Sequence, residues 1–89
     1  MMVQLGLRFA KLERKLNEID RARAVYVHLS QFCDPALYEA SFWRIWEQFE
    51  VYYGDSDKYE DYIRIKKTVQ LRYAVVDPVL MEKVDEKGV

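Results

Sequence analysis

The sequence predicts an all-α fold made of two stacked antiparallel helical hairpins. The 89 residues include only three glycines and two prolines, and no stretch alternates apolar and polar residues as a half-buried strand does. One apolar pattern of helical spacing occurs twice, at a shift of 37 residues. The 51% hydrophobic and 15% aromatic content is enough for a core, although a chain of this length buries a modest share of its surface.

The first hairpin is predicted over residues 1–33, with helices at about 3–16 and 18–32. Each helix carries one apolar stripe: Leu5, Phe9, Leu12 and Leu16 in the first, and Ala22, Val25, Tyr26 and Leu29 in the second. Neither helix can bury its stripe alone, so we expect the two stripes to pack on each other. The small side chains of Ala22 and Ala24 would let the two backbones approach closely.

The second hairpin is predicted over residues 34–76, with helices at about 35–53 and 58–76. A shift of 37 residues aligns the first stripe with Phe42, Trp46, Phe49 and Tyr53, and it aligns Glu13 with Glu50. The same shift aligns Asn17 with Gly54, and asparagine and glycine both suit a left-handed helix end. The last helix matches the second only at a shift of 40, which about three extra residues in the loop 54–58 would explain. Asp34 and Pro35 are a favourable helix start. We expect the tail, residues 77–89, to be frayed or disordered.

The stripe aromatics are predicted to form the core: Phe9, Trp46, Phe49 and Tyr62. We expect Trp43 to pack between hairpins in a longer array and to be partly exposed here, as an interface anchor. Glu13 and Glu50 stand at equivalent places, so they are not expected to form a catalytic pair. We expect Glu13 to reach Arg23 or a backbone group of its own hairpin, and Glu50 to find another partner such as Tyr62 or Arg64.

No active site is predicted. His28, the sole histidine, lies off the apolar stripe and is expected to be solvated, without companions for a metal site. Cys33 is the sole cysteine, which excludes an internal disulfide and suits a reducing compartment. The three glycines are scattered, so there is no phosphate-binding loop. We therefore expect that the protein is not an enzyme and that it binds no cofactor and no metal. No apolar run in the sequence approaches the roughly 20 residues of a membrane span.

The basic residues form two groups on the predicted helices: Arg8, Lys11, Arg14 and Lys15 on the first, and Arg64, Lys66, Lys67 and Arg72 on the last. With aromatic residues nearby, the second group in particular could contact RNA phosphates. The total charge is close to zero, with 14 basic and 15 acidic residues. A solvated face paired with neighbouring carboxylates is therefore the favoured interpretation of both groups.

Several segments resemble a known repeat. Trp43-x-x-Trp46-x-x-Phe49-Glu50 is similar to helix A of the half-a-TPR (HAT) repeat of RNA-processing proteins, and residues 22–26 (Ala-Arg-Ala-Val-Tyr) are similar to its helix B. Taken as a set, residues 7–10, 18–26, 30–35, 42–43, 49–51 and 63–70 resemble the C-terminal repeats of Syf-type pre-mRNA splicing factors, the family of the XPA-binding protein. Two places depart from the pattern: Gly6 stands where a tryptophan is expected, and the last helix lacks the Ala-Arg-x-Ile-Tyr motif.

This resemblance implies a right-handed α-α superhelix of TPR/HAT type and a non-enzymatic scaffold of the nineteen-associated complex in the nuclear spliceosome. Its partners would be other spliceosomal proteins, and some family members are linked to transcription-coupled repair. The residues expected to maintain the repeat are Phe9, Leu12, Glu13, Ala22, Arg23, Val25, Tyr26, Trp43, Trp46, Phe49 and Glu50. Two alternatives stay open: a basic-aromatic RNA-binding module and a TPR-like peptide-binding domain. Unpaired apolar faces would also make the isolated chain self-associate.

Overall fold

The predicted all-α fold of two stacked antiparallel hairpins is confirmed by a computed structural model, which describes residues 2–76. The elements are α1 (Met2–Lys15), α2 (Ile19–Ser30), α3 (Pro35–Tyr38), a π-helical turn (Glu39–Trp43), α4 (Arg44–Tyr53) and α5 (Ser56–Val76). Within these residues no strand is present. The first hairpin consists of α1 and α2; in the second, α3, the π turn and α4 together pack against α5. The prediction for the tail, 77–89, lies outside the described residues.

The helix ends follow local signals in the sequence. Asn17 ends α1 with a φ of 63°, the left-handed conformation predicted for it. The next amide, that of Glu18, donates to the Glu13 carbonyl at 2.8 Å and closes the turn. Gly54 behaves differently from the prediction: its φ is −94° and its ψ is −169°. Because α4 ends directly into an extended residue, no left-handed turn is needed there.

The predicted helix over 35–53 is present but contains a π turn that the sequence pattern did not reveal. It begins at Pro35, where the Asp34 carboxylate accepts from the Ala36 amide at 3.0 Å. In the π turn the Arg44 amide donates to the Glu39 carbonyl, five residues earlier. Such a turn takes in one extra residue. Both Phe42 and Trp43 are fully buried at its end.

The core lies between the two hairpins. Its apolar members are Ala10, Ala22, Tyr26, Leu29, Cys33, Phe42, Trp43, Trp46, Phe49, Tyr62 and Val69. Two hydrogen bonds tie the indole of Trp43 and the phenol of Tyr62 to the backbone: Trp43 Nε1 donates to the Cys33 carbonyl at 2.8 Å, and Tyr62 Oη donates to the Trp43 carbonyl at 3.1 Å. The prediction that Trp46, Phe49 and Tyr62 belong to the core is therefore confirmed.

Two predictions about burial are wrong. Trp43 is not partly exposed, because the π turn directs it into the core beside Trp46 and Tyr62. Phe9 and the rest of the first apolar stripe are exposed rather than packed on α2. The α1 residues that enter the core are instead Ala10, which is fully buried, and the partly buried Val3 and Leu7.

Candidate functional site: an open apolar face on the first helix

The apolar stripe of α1 is left uncovered by the described residues. We call it the α1 face; its members Leu5, Phe9, Leu12 and Leu16 are 66%, 50%, 52% and 62% exposed. A groove of about 620 Å³ adjoins it between α1 and α2, with Met2, Val25 and Leu29 among its lining residues. Side chains of this size favour burial, so an uncovered stripe is typical of an interaction surface.

The stripe faces outward because the neighbouring side of α1 packs on α2, with small residues at the closest contacts and the partly buried Val3 and Leu7 beside them. Gly6 lies directly under Leu29: a Cβ placed on this glycine would be 2.5 Å from Leu29 Cδ1. Ala10 and Ala22 are both fully buried at the same helix contact. Small residues let the two backbones come close, and this gain in contact decides which side of α1 meets α2. Ala24 is not buried at this contact; it is exposed and lines the groove between α1 and α2.

The equivalent stripe of the second hairpin is covered at three of its four positions, and the fourth, Tyr53, is 37% exposed. Phe42, Trp46 and Phe49, each 37 positions after a member of the α1 face, are only 0%, 1% and 3% exposed. The cover is α2, whose Tyr26 ring stacks on Trp46 with a centroid distance of 6.3 Å and an interplanar angle of 8°. The Tyr26 ring also lies 4.9 Å from Phe49 and 6.3 Å from Phe42. One hairpin thus covers the stripe of the next through its second helix.

An ion pair between the part-buried Arg23 and the buried Glu50 accompanies this aromatic contact. Arg23 Nε donates to Glu50 Oε2 at 2.9 Å, and Arg23 Nη2 donates to Glu50 Oε1 at 2.9 Å. The Trp46 indole donates to the same carboxylate at 2.9 Å. The hydrogen bond to Glu50 is the main cause of the raised pKa of Arg23, and the guanidinium carbon also lies 5.4 Å from the Phe49 ring centroid. Glu50 itself is only 2% exposed.

The predicted partners of the two glutamates are wrong. Arg23 does not pair with Glu13 of its own hairpin. Arg23 lies on the same side of α2 as Tyr26, and this side faces the second hairpin. Glu50 accordingly pairs with Arg23 rather than with Tyr62 or Arg64. Glu13 is 5% exposed, and its only ion pair among the described residues is with Arg21 at 3.3 Å, from a side chain that is mostly exposed.

The four basic residues considered for RNA contact do not form one patch. Arg64 pairs with Asp61 at 2.7 Å, and Lys66 pairs with Glu39 of the π turn at 2.8 Å. Arg64 and Arg72 line a second groove, between α2 and α5, whereas Lys67 is simply exposed. The structure therefore brings two of the four together and engages Lys66 on another side of α5.

His28 and Cys33, the remaining residue types that could act in catalysis or metal binding, lie in surroundings that do not favour either role. His28 is exposed, and its ring meets Phe32 edge-on at 5.6 Å. Burial raises the pKa of the Cys33 thiol from 9.0 to about 11, which disfavours the nucleophilic thiolate. Residues 2–76 contain no group of three or more histidines, cysteines or carboxylates placed to hold a metal ion. None of the helices in this range is long and apolar enough to cross a membrane.

Helical hairpins in which the second helix of one unit covers the first helix of the next define a helical-repeat protein. The repeat type follows from comparison with known proteins. Residues 1–88 match the family model described as the Pre-mRNA-splicing factor Syf1/CRNKL1 C-terminal HAT repeat. The chain belongs to this family, as the sequence motifs indicated.

Curated relatives agree with this assignment. The chain is 53% identical over 70 residues to pre-mRNA-splicing factor syf1 of Emericella nidulans, 79% of the chain and 8% of that protein. It is 49% identical over 72 residues to the syf1 homolog of Drosophila melanogaster, with 81% and 8% covered. Human SYF1 is 49% identical over 70 residues, with 79% and 8% covered. The chain thus spans under a tenth of the length of these relatives.

Proposed function

We propose that this protein is a segment of a non-enzymatic scaffold of the nineteen-associated complex, which acts in pre-mRNA splicing in the nuclear spliceosome. Membership of the Syf1/CRNKL1 family supports the proposed role in pre-mRNA splicing, since the similar proteins are named pre-mRNA-splicing factors. The architecture supports the scaffold, since stacked hairpins present an extended and rigid surface on which other proteins dock. Other spliceosomal proteins are the proposed partners.

The single observation that carries the proposal is the open α1 face. Four large apolar side chains stand half or more exposed in one row along α1. Covering a side chain of this kind contributes on the order of 1.5–3 kcal/mol when it becomes fully buried. A partner that covers Leu5, Phe9 and Leu12 together would therefore gain several kcal/mol of free energy from this face alone, before its costs of association.

The test is recovery of spliceosomal proteins from nuclear extract with the intact chain as bait. We compare the wild type with a variant carrying Leu5→Gln, Phe9→Gln and Leu12→Gln. A matched control carries Leu37→Gln, Val51→Gln and Leu71→Gln, three residues that are 78%, 70% and 66% exposed elsewhere on the surface. We expect the wild type and the control to recover the same splicing proteins, identified by mass spectrometry, and the α1-face variant to lose most of them.

Equal recovery with all three baits, or recovery of no splicing protein by the wild type, would contradict the scaffold proposal. Circular dichroism of each variant checks that the loss does not come from unfolding. Because all six residues are exposed, each glutamine substitution is expected to change the free energy of unfolding by less than about 0.5 kcal/mol.

RNA binding is the second candidate, and its support is the pair Arg64 and Arg72 beside the groove between α2 and α5. The engagement of Arg64 by Asp61 and of Lys66 by Glu39 leaves this candidate weaker than the scaffold. Titration with single-stranded RNA separates the two. Micromolar binding that weakens steeply with salt, and that is lost with Arg64→Gln and Arg72→Gln, would favour RNA.

A further inference from the structure

We infer that the groove between α2 and α5 binds an acidic peptide segment of a partner protein, in which two carboxylates are spaced to meet Arg64 and Arg72. We call this surface the α2–α5 groove. It has a volume of about 730 Å³, and its lining includes Val27, Ile65 and Val69 as well as the two arginines. The inference rests on the proposed scaffold function and adds the chemistry of a partner at a surface other than the α1 face.

The floor of the α2–α5 groove is apolar. Val27 of α2 is 41% exposed, Ile65 of α5 is partly buried, and Val69 of α5 is almost fully buried. The exposed Ala24 of α2 extends this floor. An apolar side chain that covers the floor gains free energy by leaving water. The groove therefore provides one apolar anchor point for a docked segment.

The α5 edge of the groove is basic. Arg64 and Arg72 both line it and both are exposed. They stand eight positions apart on one helix, which corresponds to about 12 Å along its axis. An extended peptide advances about 3.3 Å per residue, so carboxylates at positions i and i+4 match this spacing. The residue at i+2 points to the same side as the two carboxylates and can place an apolar side chain on the floor.

The ion pair that Arg64 already makes does not prevent this binding. Its partner Asp61 lies on the same helix at 2.7 Å, and the two side chains are 68% and 46% exposed. An exposed pair of this kind contributes little free energy, so a carboxylate of a peptide can replace Asp61. Within residues 2–76 no carboxylate forms an ion pair with Arg72. Both guanidinium groups can therefore turn to an incoming acidic segment.

The lining of the groove favours a peptide over RNA. Proteins that bind single-stranded RNA combine a basic groove with aromatic side chains on which the bases stack. Among the described residues that line the α2–α5 groove there is no phenylalanine, tyrosine or tryptophan. The net charge of the chain is −1, so the molecule as a whole does not attract a polyanion. Two arginines beside an apolar floor instead match a short segment with two carboxylates and one apolar residue.

Titration of the intact chain with a synthetic peptide tests the inference. The probe is the fluorescein-labelled peptide Gly-Glu-Thr-Leu-Thr-Glu-Gly, in which the glutamates are four residues apart and the leucine lies midway. The register control, Gly-Glu-Glu-Thr-Leu-Thr-Gly, has the same composition with adjacent glutamates. Fluorescence anisotropy measures the dissociation constant. We expect the probe to bind about fivefold more tightly than the register control, because only the probe can meet both arginines.

A double variant assigns the binding to the groove. Arg64→Gln with Arg72→Gln should weaken binding of the probe about tenfold, since both carboxylates lose their partners. Lys58→Gln with Lys67→Gln is the matched control, because it removes two positive charges from exposed positions of α5 that do not line the groove. The control should keep the dissociation constant within about twofold of the wild type. Circular dichroism checks that both variants are folded.

Asp61→Asn gives an opposite effect. It removes the carboxylate that competes for Arg64, so it should tighten binding of the probe about threefold. Asp57→Asn changes the net charge equally at an exposed position in the first turn of α5, and it should leave the binding unchanged.

Equal binding of the two peptides, or an equal loss in the arginine and lysine variants, would overturn the inference. Tighter binding of single-stranded RNA than of the probe, lost in Arg64→Gln with Arg72→Gln, would assign the groove to RNA and overturn it as well. So would a dimer, detected by sedimentation, that the same double variant abolishes, because the occupant would then be a second copy.

The chain's own residues 82–86 (Glu-Lys-Val-Asp-Glu) have the same spacing of carboxylates around an apolar residue. The variant Glu82→Gln with Glu86→Gln separates this occupant from a partner protein. We expect it to bind the probe as the wild type does, and a tenfold gain in affinity would assign the groove to the chain itself and overturn the inference. The extract experiment concerns the α1 face, so a failure here leaves the proposed scaffold function standing. Equal recovery by all baits there would not alter the affinity for the probe.

Discussion

Glu50 joins Arg23 of one hairpin to Trp46 of the other through a single buried carboxylate. The substitution Glu50→Ala would leave the indole N–H without its acceptor, and it would leave the Arg23 guanidinium with only the exposed Asp20 carboxylate at 3.3 Å. Removal of one partner from a buried ion pair costs about 3–5 kcal/mol of the free energy of unfolding, and we expect the lower end of this range because Arg23 is partly exposed and retains Asp20. Urea unfolding followed by circular dichroism measures this loss.

Two comparisons identify the cause of that loss. Glu60→Ala removes an exposed carboxylate of α5 and should change the free energy of unfolding by less than about 0.5 kcal/mol. The double variant Arg23→Met with Glu50→Leu removes both charges and should be markedly more stable than Glu50→Ala. If the double variant is no better than Glu50→Ala, volume rather than charge is responsible, and the assigned role of the ion pair is wrong.

The buried acids Cys33, Tyr26 and Tyr62 predict a loss of stability in alkaline solution. Burial raises the pKa of the Cys33 thiol from 9.0 to about 11, and it raises the pKa values of the two phenols as well. Between the unfolded and folded pKa values the native state binds more protons than the unfolded state, so the free energy of unfolding falls as pH rises. The stabilisation is complete below the unfolded pKa and is lost through the folded one.

Urea unfolding at a series of pH values from about 8 to about 10.5 measures this slope. Cys33→Ala should make the slope shallower over the lower part of that range, because the thiol titrates before the phenols in the unfolded chain. His28→Ala is the control, since this exposed side chain should leave the alkaline slope unchanged. A stability that is constant across the range would contradict the assigned burial of these groups.

The sequence alone predicted part of the arrangement of the two glutamates. The equivalence of Glu13 and Glu50 follows from the repeat, and both are buried. The partner of each could not be read from spacing, because Arg23 can point to either hairpin until the side of α2 that faces the second hairpin is known. The neighbouring Tyr26, three residues later, carried that signal, since residues at this separation share a helix face.

At the scale of elements, the close approach of α1 and α2 depends on Gly6. A Cβ at this position would lie 2.5 Å and 2.8 Å from the two Leu29 methyl carbons and 3.0 Å from its Cγ. Gly6→Val should therefore force Leu29 or the helix to move, at a cost of about 1–3 kcal/mol. Thermal and urea unfolding measure the change in the free energy of unfolding.

Arg8→Val is the matched control for Gly6→Val. It introduces the same β-branched residue into the same helix at an exposed position, so it reports helix propensity without the steric conflict. A loss of stability in Gly6→Val that does not exceed the loss in Arg8→Val would show that α1 does not need the glycine for its contact with α2.

The helices themselves were largely predictable. Asn17, Asp34 and Pro35 are local signals, and the observed bounds of the helices lie within two residues of the predicted ones. The π turn at Glu39–Trp43 was not predictable from the sequence, because it depends on contacts with helices distant in the chain. It lets Phe42 meet α2 while Trp43 contacts Tyr62 of α5. No capping residue or break in the apolar pattern marks such a turn.

For the molecule as a whole, the two apolar stripes are equivalent in sequence but have different surroundings. The stripe of the second hairpin is covered by α2, whereas the α1 face has no cover among residues 2–76. The periodicity of apolar residues indicates that a stripe favours burial, but it does not identify the element that covers the stripe. For this reason the packing of the first stripe on α2 was a wrong prediction, although the stripe itself was correctly identified.

The same asymmetry predicts that equivalent substitutions have unequal effects. Trp46→Ala and Phe49→Ala remove covered side chains between the hairpins and should each reduce the free energy of unfolding by about 3–5 kcal/mol. Phe9→Ala and Leu12→Ala, 37 residues earlier, remove side chains that are half exposed and should each cost less than about 1 kcal/mol. Urea unfolding of the four single variants makes the comparison.

Each pair serves as its own control, because the two members stand at equivalent positions of the repeat. Equal losses at Phe9 and Trp46 would mean that the α1 face is already buried in solution, by a second copy or by another part of the chain. Dilution distinguishes these causes, since only burial by a second copy weakens as the protein concentration falls. If the losses are unequal as expected, the free energy that Phe9 and Leu12 do not contribute to folding remains available for binding a partner.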